Sequence, residues 1–256
     1  MKISTKEPQV DIIIPNYNKD KYLVECIESI INQTYKNWFL YIIDDNSEDK
    51  SNEILQKYKS FQNIKVLSLS KNKGPSFCRN LGMRISNAQF ISFLDSDDIW
   101  TTDKLKTQIN FMLENNYDFS YTDYIPFFHS KKNKKYINNT SLEKSFNFDE
   151  FILNTSINSS TMIIKRETIG LIKFKKIKLL EDYLFKCEIL KKIRAYKISK
   201  SLAYYRIIPG ARSSNKMLNV IWLWKINKNY NKLNFFINIK SIFFAIFNSF
   251  KKYGVK

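Results

Sequence analysis

Glycine is scarce in this chain of 256 residues: there are five, and none precedes Gly74. Neither a G-x-G-x-x-G turn nor a Walker A loop can be assembled from them, so dinucleotide-binding dehydrogenases and P-loop enzymes are excluded. Cysteine is rarer still. Cys26, Cys78 and Cys187 are odd in number, widely spaced and without a C-x-x-C pair. That pattern argues against a disulfide framework or a zinc site, and for reduced, buried thiols in a cytoplasmic protein. His129 is the single histidine. No uninterrupted apolar run reaches the ~18 residues of an ordinary transmembrane helix. The start, Met1-Lys-Ile-Ser-Thr-Lys-Glu7, has no apolar core of a signal peptide. Acid is absent from the C-terminal quarter. The last acidic residue is Glu188, and residues 189–256 hold 15 Lys and Arg, so +15 of the formal +18 lies there. Such asymmetry points to an anionic partner, either nucleic acid or an anionic membrane leaflet.

What is present describes a globular protein. Hydrophobic residues make up 44% and aromatics 15%, enough to bury a real core in one large domain or one domain with an appendage. Through residue 115, short apolar runs alternate with stretches of helical periodicity. Runs at 10–14, 39–43, 64–69 and 90–94 read as strands, and helices are expected over about 19–33, 47–58, 75–86 and 103–115. Ser47 reads as an N-cap, and Pro75 as a helix start. Alternation of this kind predicts right-handed βαβ units and a mainly parallel sheet, an α/β class. Beyond it, strands are expected near 119–124 and 160–164 and helices near 148–153 and 181–190. Residues 130–147, rich in Lys, Asn and Ser, read as a loop.

In an open parallel sheet the C-terminal strand tips share one rim, where ligands bind. The tip at residues 90–100 is the most informative. Phe90-Ile-Ser-Phe-Leu94 runs into Asp95-Ser-Asp97-Asp98, three carboxylates that repel unless a cation or donors compensate. Oxygen-only ligands suit Mg²⁺ or Mn²⁺, with one or two carboxylates completed by substrate phosphates. The alternative is that Asp97 or Asp98 caps the following helix.

Five segments in order carry a family resemblance: Asp11-Ile-Ile-Ile-Pro-Asn-Tyr-Asn18, Ile42-Ile-Asp-Asp-Asn-Ser47, Gly74…Arg79-Asn80-Leu-Gly82, Phe93-Leu-Asp-Ser-Asp-Asp-Ile-Trp100 and Glu181-Asp182. Together they resemble a family 2 glycosyltransferase of the GT-A fold, the kind of bacterial UDP-hexose transferase that builds O-antigen or capsule, over residues 8 to about 210. The resemblance implies that Pro15 and Tyr17 border the uracil of a UDP-sugar, and that Asp45 accepts a hydrogen bond from the base. Arg79 would hold base or phosphate. Asp95 and Asp97 would form the D-x-D pair binding ribose and a divalent Mn²⁺ or Mg²⁺. Asp182, beside Glu181 in the substrate site, would be the catalytic base of an inverting transfer. Ile208 stands where many relatives carry His, so Arg206 and Arg212 are expected to clamp the diphosphate instead. Read without the resemblance, Tyr17 is a packing aromatic, Arg79 a solvated helix residue, and Asp182 an acid favoured by a helix start.

The expected division is a catalytic domain over 1–215, with a nucleotide-sugar half (1–115) and an acceptor half (116–215), and a basic aromatic helical tail over 216–256. Bulky apolar residues interspersed with Lys in that tail fit a helix in a membrane interface; a helical pair packed on the domain or on a second subunit, giving a homodimer, is the alternative. The resemblance implies a UDP-sugar donor, a lipid-diphosphate-linked saccharide acceptor, and a peripheral place at the inner face of the bacterial plasma membrane, with no nucleic acid. The rivals are a nucleotidyltransferase with a similar metal site, and a basic nucleic-acid-binding protein.

Overall fold

A computed structural model of the chain describes residues 7–127, 145–155, 157–208, 210 and 215–253. Arg212, His129 and most of the expected 130–147 loop lie outside them. Among the described residues, nine strands form one sheet. The first half supplies β1 (Val10–Asn16), β2 (Trp38–Asp44), β3 (Ile64–Ser68) and β4 (Phe90–Phe93), all parallel, in the order β3-β2-β1-β4. The connecting helices are α1 (Asp20–Ile31), α2 (Ser51–Gln56) and α3 (Pro75–Ile85), and α4 (Lys104–Asn115) follows.

The second half completes the sheet with mixed direction. β6 (Phe119–Phe127) and β8 (Ile163–Lys165) pair antiparallel with each other, and β8 pairs antiparallel with β4. β9 (Ala195–Arg206) runs parallel to β6. Two-residue strands β5 (Ile99–Trp100) and β7 (Ser145–Phe146) pair antiparallel with β9. The long β9 was not visible in the sequence. Its interior, Lys-Ile-Ser-Lys-Ser, buries Lys197 and Ile198, exposes Ser199, Lys200 and Ser201, and lacks a continuous apolar run. The remaining helices are α5 (Phe148–Asn154), α6 (Arg166–Ile169), α7 (Glu181–Leu190), α8 (Lys216–Asn229) and α9 (Phe235–Tyr253).

Alternation along the strands sends side chains to two cores. Ile12 and Ile14 of β1 join Leu23, Ile27 and Ile30 of α1 on one face, while Ile13 joins Cys78 and Met83 of α3 on the other. Gly82 sets how closely α3 approaches. A Cβ built there would lie 2.5 Å from Ile13 Cγ2, so only glycine lets the helix sit this low on β1.

Two expected caps are replaced. Ser47 does not cap α2, which starts at Ser51; its hydroxyl donates to Asp44 Oδ1 at 2.6 Å and accepts from the Asn18 amide at 3.0 Å. That contact stabilises Asn18 in the left-handed region (φ 51°) and fixes the turn after β1. Neither Asp97 nor Asp98 caps α4, whose N-cap position is Asp103. Within the 216–256 segment, α8 packs on the rest of the chain, as one of the two expectations had it. Leu223 and Ile226 of α8 belong to the core that α5 and α7 fill.

Candidate active site

The C-terminal tips of β1, β2 and β4 meet at one rim. Pro15 is half-buried within β1, and Tyr17, 43% exposed, follows it. Asn16 is buried and donates to Asp44 Oδ1 at 2.8 Å, tying the β1 and β2 tips together. Asp45 is buried too. Its two carboxylate oxygens accept from the Lys73 and Gly74 amides, each at 2.7 Å. The residue therefore pins the loop entering α3, whose first turn follows Gly74 at φ 87°.

The acidic tip of β4 is held from behind. Asp98 is buried; its oxygens accept from Ser160 Oγ at 2.6 Å and from the Arg206 amide at 2.9 Å. Burial first, and then Asp97 and Asp95, push its pKa well above the carboxylate range. Asp97 is also raised, by burial and by Asp95, despite the Lys19 ammonium at 2.7 Å from its Oδ2. Asp95 donates its amide to Ser160 Oγ at 3.2 Å and receives Arg79 Nη2 on Oδ1 at 2.6 Å. Beneath them lies Cys26, whose thiol donates to the Asp95 carbonyl at 3.6 Å and whose pKa burial drives far up.

Arg206 is not at an open cleft. Its guanidinium donates to the Asp97 carbonyl at 2.8 Å and to Glu25 Oε2 at 2.7 Å, between the rings of Tyr22 and Phe127. From β9 it braces the Asp97–Asp98 turn, where the sequence suggested a diphosphate contact. Arg79 is the opposite case: it is at the centre. One guanidinium meets Asp95 at 2.6 Å and Glu181 Oε1 at 3.6 Å. Burial works against its charge, but Asp95, Glu181 and Asp182 prevail and keep its pKa above the ordinary value.

The second acidic group opens α7. Glu181 is buried, and Asp182 is half-buried. Asp182 Oδ2 accepts from Lys186 Nζ at 2.7 Å and from Ser159 Oγ at 3.3 Å. Burial acts to raise this carboxyl, but Lys186, with help from Arg79, holds it down at about 2. A single 3-10 turn, Ser159–Thr161, thus joins both acidic groups, Ser160 to Asp95 and Asp98 and Ser159 to Asp182. Sequence reading missed Lys19, Ser160 and Lys186. Only Lys186 had a signal, its i+4 spacing from Asp182.

Oxygen-only donors, two of them with a third acid raised behind, match a hard divalent cation in chemistry. Asp95 and Asp97 each give one oxygen to a basic side chain, and a carboxylate has acceptor capacity beyond one contact. No group of three or more His, Cys, Asp or Glu arranged to hold a metal occurs among the described residues, so ligand oxygens are needed to complete a cation's shell. Donor capacity lies alongside: Arg79 Nε is buried without a hydrogen-bond partner among the described residues, and Nη1 has the Glu181 carboxylate at 3.6 Å but no hydrogen bond; buried polar atoms normally find one.

The model of glycosyl transferase family 2 matches residues 11–171. The chain belongs to that family. TuaG of Bacillus subtilis, named as a teichuronic acid biosynthesis glycosyltransferase, is 32% identical over 237 residues, 90% of this chain and 91% of that protein. WfgD of Escherichia coli, a UDP-Glc:α-D-GlcNAc-diphosphoundecaprenol β-1,3-glucosyltransferase, is 32% identical over 225 residues, 85% of this chain and 84% of its own. The fold matches the mannosyltransferase PcManGT of Pyrobaculum calidifontis, solved with GDP-Man and Mn²⁺, at a TM-score of 0.72 and 13% identity, over 96% of this chain and 72% of that one. The family 2 protein is accordingly a glycosyltransferase of the GT-A fold, with the mixed, mainly parallel sheet expected.

Proposed function

We propose that this family 2 glycosyltransferase moves a hexose, glucose or galactose, with inversion from a UDP-sugar to a lipid-linked saccharide, GlcNAc-diphosphate-undecaprenol in O-antigen or capsule synthesis. It works as a peripheral protein at the inner face of the plasma membrane. The observation that carries this reading is the coupling of two acidic groups, Asp95–Asp97 and Glu181–Asp182, through Arg79 and through Ser159 and Ser160. A displacement with inversion needs one site that stabilises the leaving diphosphate and another that accepts a proton on the opposite side. WfgD, similar along most of both chains, is named for a donor and acceptor of this kind.

Asp95 and Asp97 would hold Mn²⁺ or Mg²⁺; when bound, the ion supplies Lewis-acid neutralisation of charge developing on the departing UDP. Pro15 and Tyr17 flank the base at the β1 tip. Asp45, fixed by two amides, keeps the loop into α3 in shape while its remaining lone pairs face the nucleotide. Arg79 orients Asp95 and offers its open donors to phosphate oxygens, and Arg206 steadies the acidic turn from below. Arg212, outside the described residues, is a further candidate for a diphosphate contact. Asp182, ionised at all neutral pH values, accepts the acceptor hydroxyl proton as the new glycosidic bond forms and the bond to UDP breaks. The Lys186 ammonium keeps that carboxylate ionised.

The decisive experiment is a UDP-release screen over nucleotide sugars with synthetic lipid-diphosphate acceptors. Release from UDP-glucose or UDP-galactose only when the acceptor is present is the expected result. Asp97→Ala should remain folded and lose Mn²⁺-dependent turnover; full activity in EDTA refutes the metal role.

A further inference from the structure

α9 turns polar side chains inward beside Ile242 and Ala245, which pack on the core, and leaves its bulkiest apolar residues outside. Asn238, Ser241 and Asn248 face the protein, where their side chains donate to the carbonyls of Trp224, Ile152 and Leu153 at 3.3, 2.6 and 3.2 Å. Phe236, Ile239, Phe243, Ile246 and Phe247 face away, with Phe236 81% and Phe243 63% exposed. Their spacing of three, four, three and one residues places them on one stripe of the helix. α8 adds exposed Met217, Leu218 and Ile221 beside it. A soluble helix normally turns its apolar stripe inward, and contiguous exposed apolar patches mark interaction surfaces.

The outward face carries charge of one sign. Lys216, Lys225, Lys228, Lys232 and Lys240 are all exposed, and no acidic residue follows Glu188. A second copy seated here across a two-fold axis would bring the same lysines against these. An anionic bilayer would take the aromatic side chains into its interface and meet the lysines with lipid headgroups, each lysine tightening attachment roughly fivefold. We infer that the α8–α9 hairpin is a rigid docking surface for an anionic lipid bilayer.

The hairpin is tied to the proposed base. Tyr183, next to Asp182, donates its hydroxyl to Asn227 Oδ1 at 2.8 Å; Asn227 Nδ2 donates to Ser241 Oγ at 3.0 Å. Asn227 and Ser241 are fully buried, so this chain of polar contacts fixes α7 against α8 and α9. Docking therefore sets the orientation of the Asp182 end of the site to the bilayer from which a lipid-linked acceptor arrives. That consequence rests on the glycosyl-transfer reading; the docking itself does not.

The test is sedimentation of the full chain with phosphatidylcholine vesicles, with and without phosphatidylglycerol, in the absence of substrates. Wild type should bind strongly only when phosphatidylglycerol is present, and high salt should weaken binding. Phe236→Ser/Phe243→Ser/Phe247→Ser alters exposed positions only and should keep its circular dichroism and UDP affinity while losing roughly tenfold or more in vesicle binding. Lys228→Gln/Lys232→Gln/Lys240→Gln should lose the dependence on phosphatidylglycerol. Vesicle binding by the triple serine variant equal to wild type overturns the inference. So does a wild-type dimer in solution that the triple serine variant dissociates. UDP affinity, measured on the same samples, reports separately on the donor site.

Discussion

Lys186→Met separates charge from bulk at one buried position. Lys186 is 3% exposed, and its ammonium donates to Asp182 Oδ2 at 2.7 Å and to the Ile157 carbonyl at 2.6 Å. Methionine fills similar space without the charge. Burial then acts unopposed by the nearest cation, and the Asp182 carboxyl rises from about 2 toward its ordinary value or above it. Recovery of the ordinary value alone corresponds to about 2.5 kcal/mol at 1.36 kcal/mol per pKa unit. The Asp182 side chain is 33% exposed, so solvent screening reduces this to about 1–2 kcal/mol. The sign follows from linkage. A depressed native pKa gives stability that is fully present above the unfolded value and is lost as pH falls through the folded one. Urea denaturation at pH 7 should therefore show Lys186→Met less stable by about 1–2 kcal/mol, with the difference shrinking as pH drops from the ordinary carboxylate range toward 2. Activity gives the second readout. In wild type the carboxylate is ionised throughout the neutral range, so Asp182 contributes no acid limb to kcat/KM. In the variant, initial rates of UDP release should fall on the acid side with a limb displaced to higher pH. Unchanged stability at pH 7 together with an unchanged pH profile refutes both the charge pairing and the role of Asp182.

Lys19→Gln removes an ammonium 2.7 Å from Asp97. A divalent ion ~4 Å from such a charge is repelled by about 2 kcal/mol even at the dielectric of water, so Mn²⁺ titrated without nucleotide should bind the variant roughly thirtyfold tighter; equal affinity shows that Lys19 does not compete. Gly82→Ala places a methyl against Ile13 at 2.5 Å. The clash costs ~1–3 kcal/mol and the gain in helix propensity returns about 1, so thermal unfolding should report a net loss of up to about 2 kcal/mol, and UDP affinity should fall because α3 carries Arg79. An unchanged melting temperature counts against the close packing of α3 on β1.

The parallel half of the sheet was legible because its strands are short apolar runs ended by Asp, Asn and Ser, and its helices carry one apolar stripe. α7 was legible to the residue, since Glu181 and Asp182 begin it and an apolar set follows. β9 and β5 were not. A strand that shifts register against β6 midway and exposes Ser199, Lys200 and Ser201 there has no sequence period to announce it, and a two-residue strand exists only through its partner. Lys19 and Ser160 were invisible for the same reason: their partners lie 78 and 62 residues away, at Asp97 and Asp98.

The sequence by itself determined the alternating α/β order, the family motifs and the acidic tip of β4, because these depend on local period and residue type. Tertiary structure decided what each acid touches. It put Arg79 between Asp95 and Glu181, set Arg206 behind the acidic turn, buried Asp98 away from any cap, and lowered Asp182 with Lys186. It also decided which way α9 faces. Helical periodicity reveals a stripe, but only the hydrogen bonds of Asn238, Ser241 and Asn248, with Ile242 and Ala245 packed on the core beside them, show which side is turned inward.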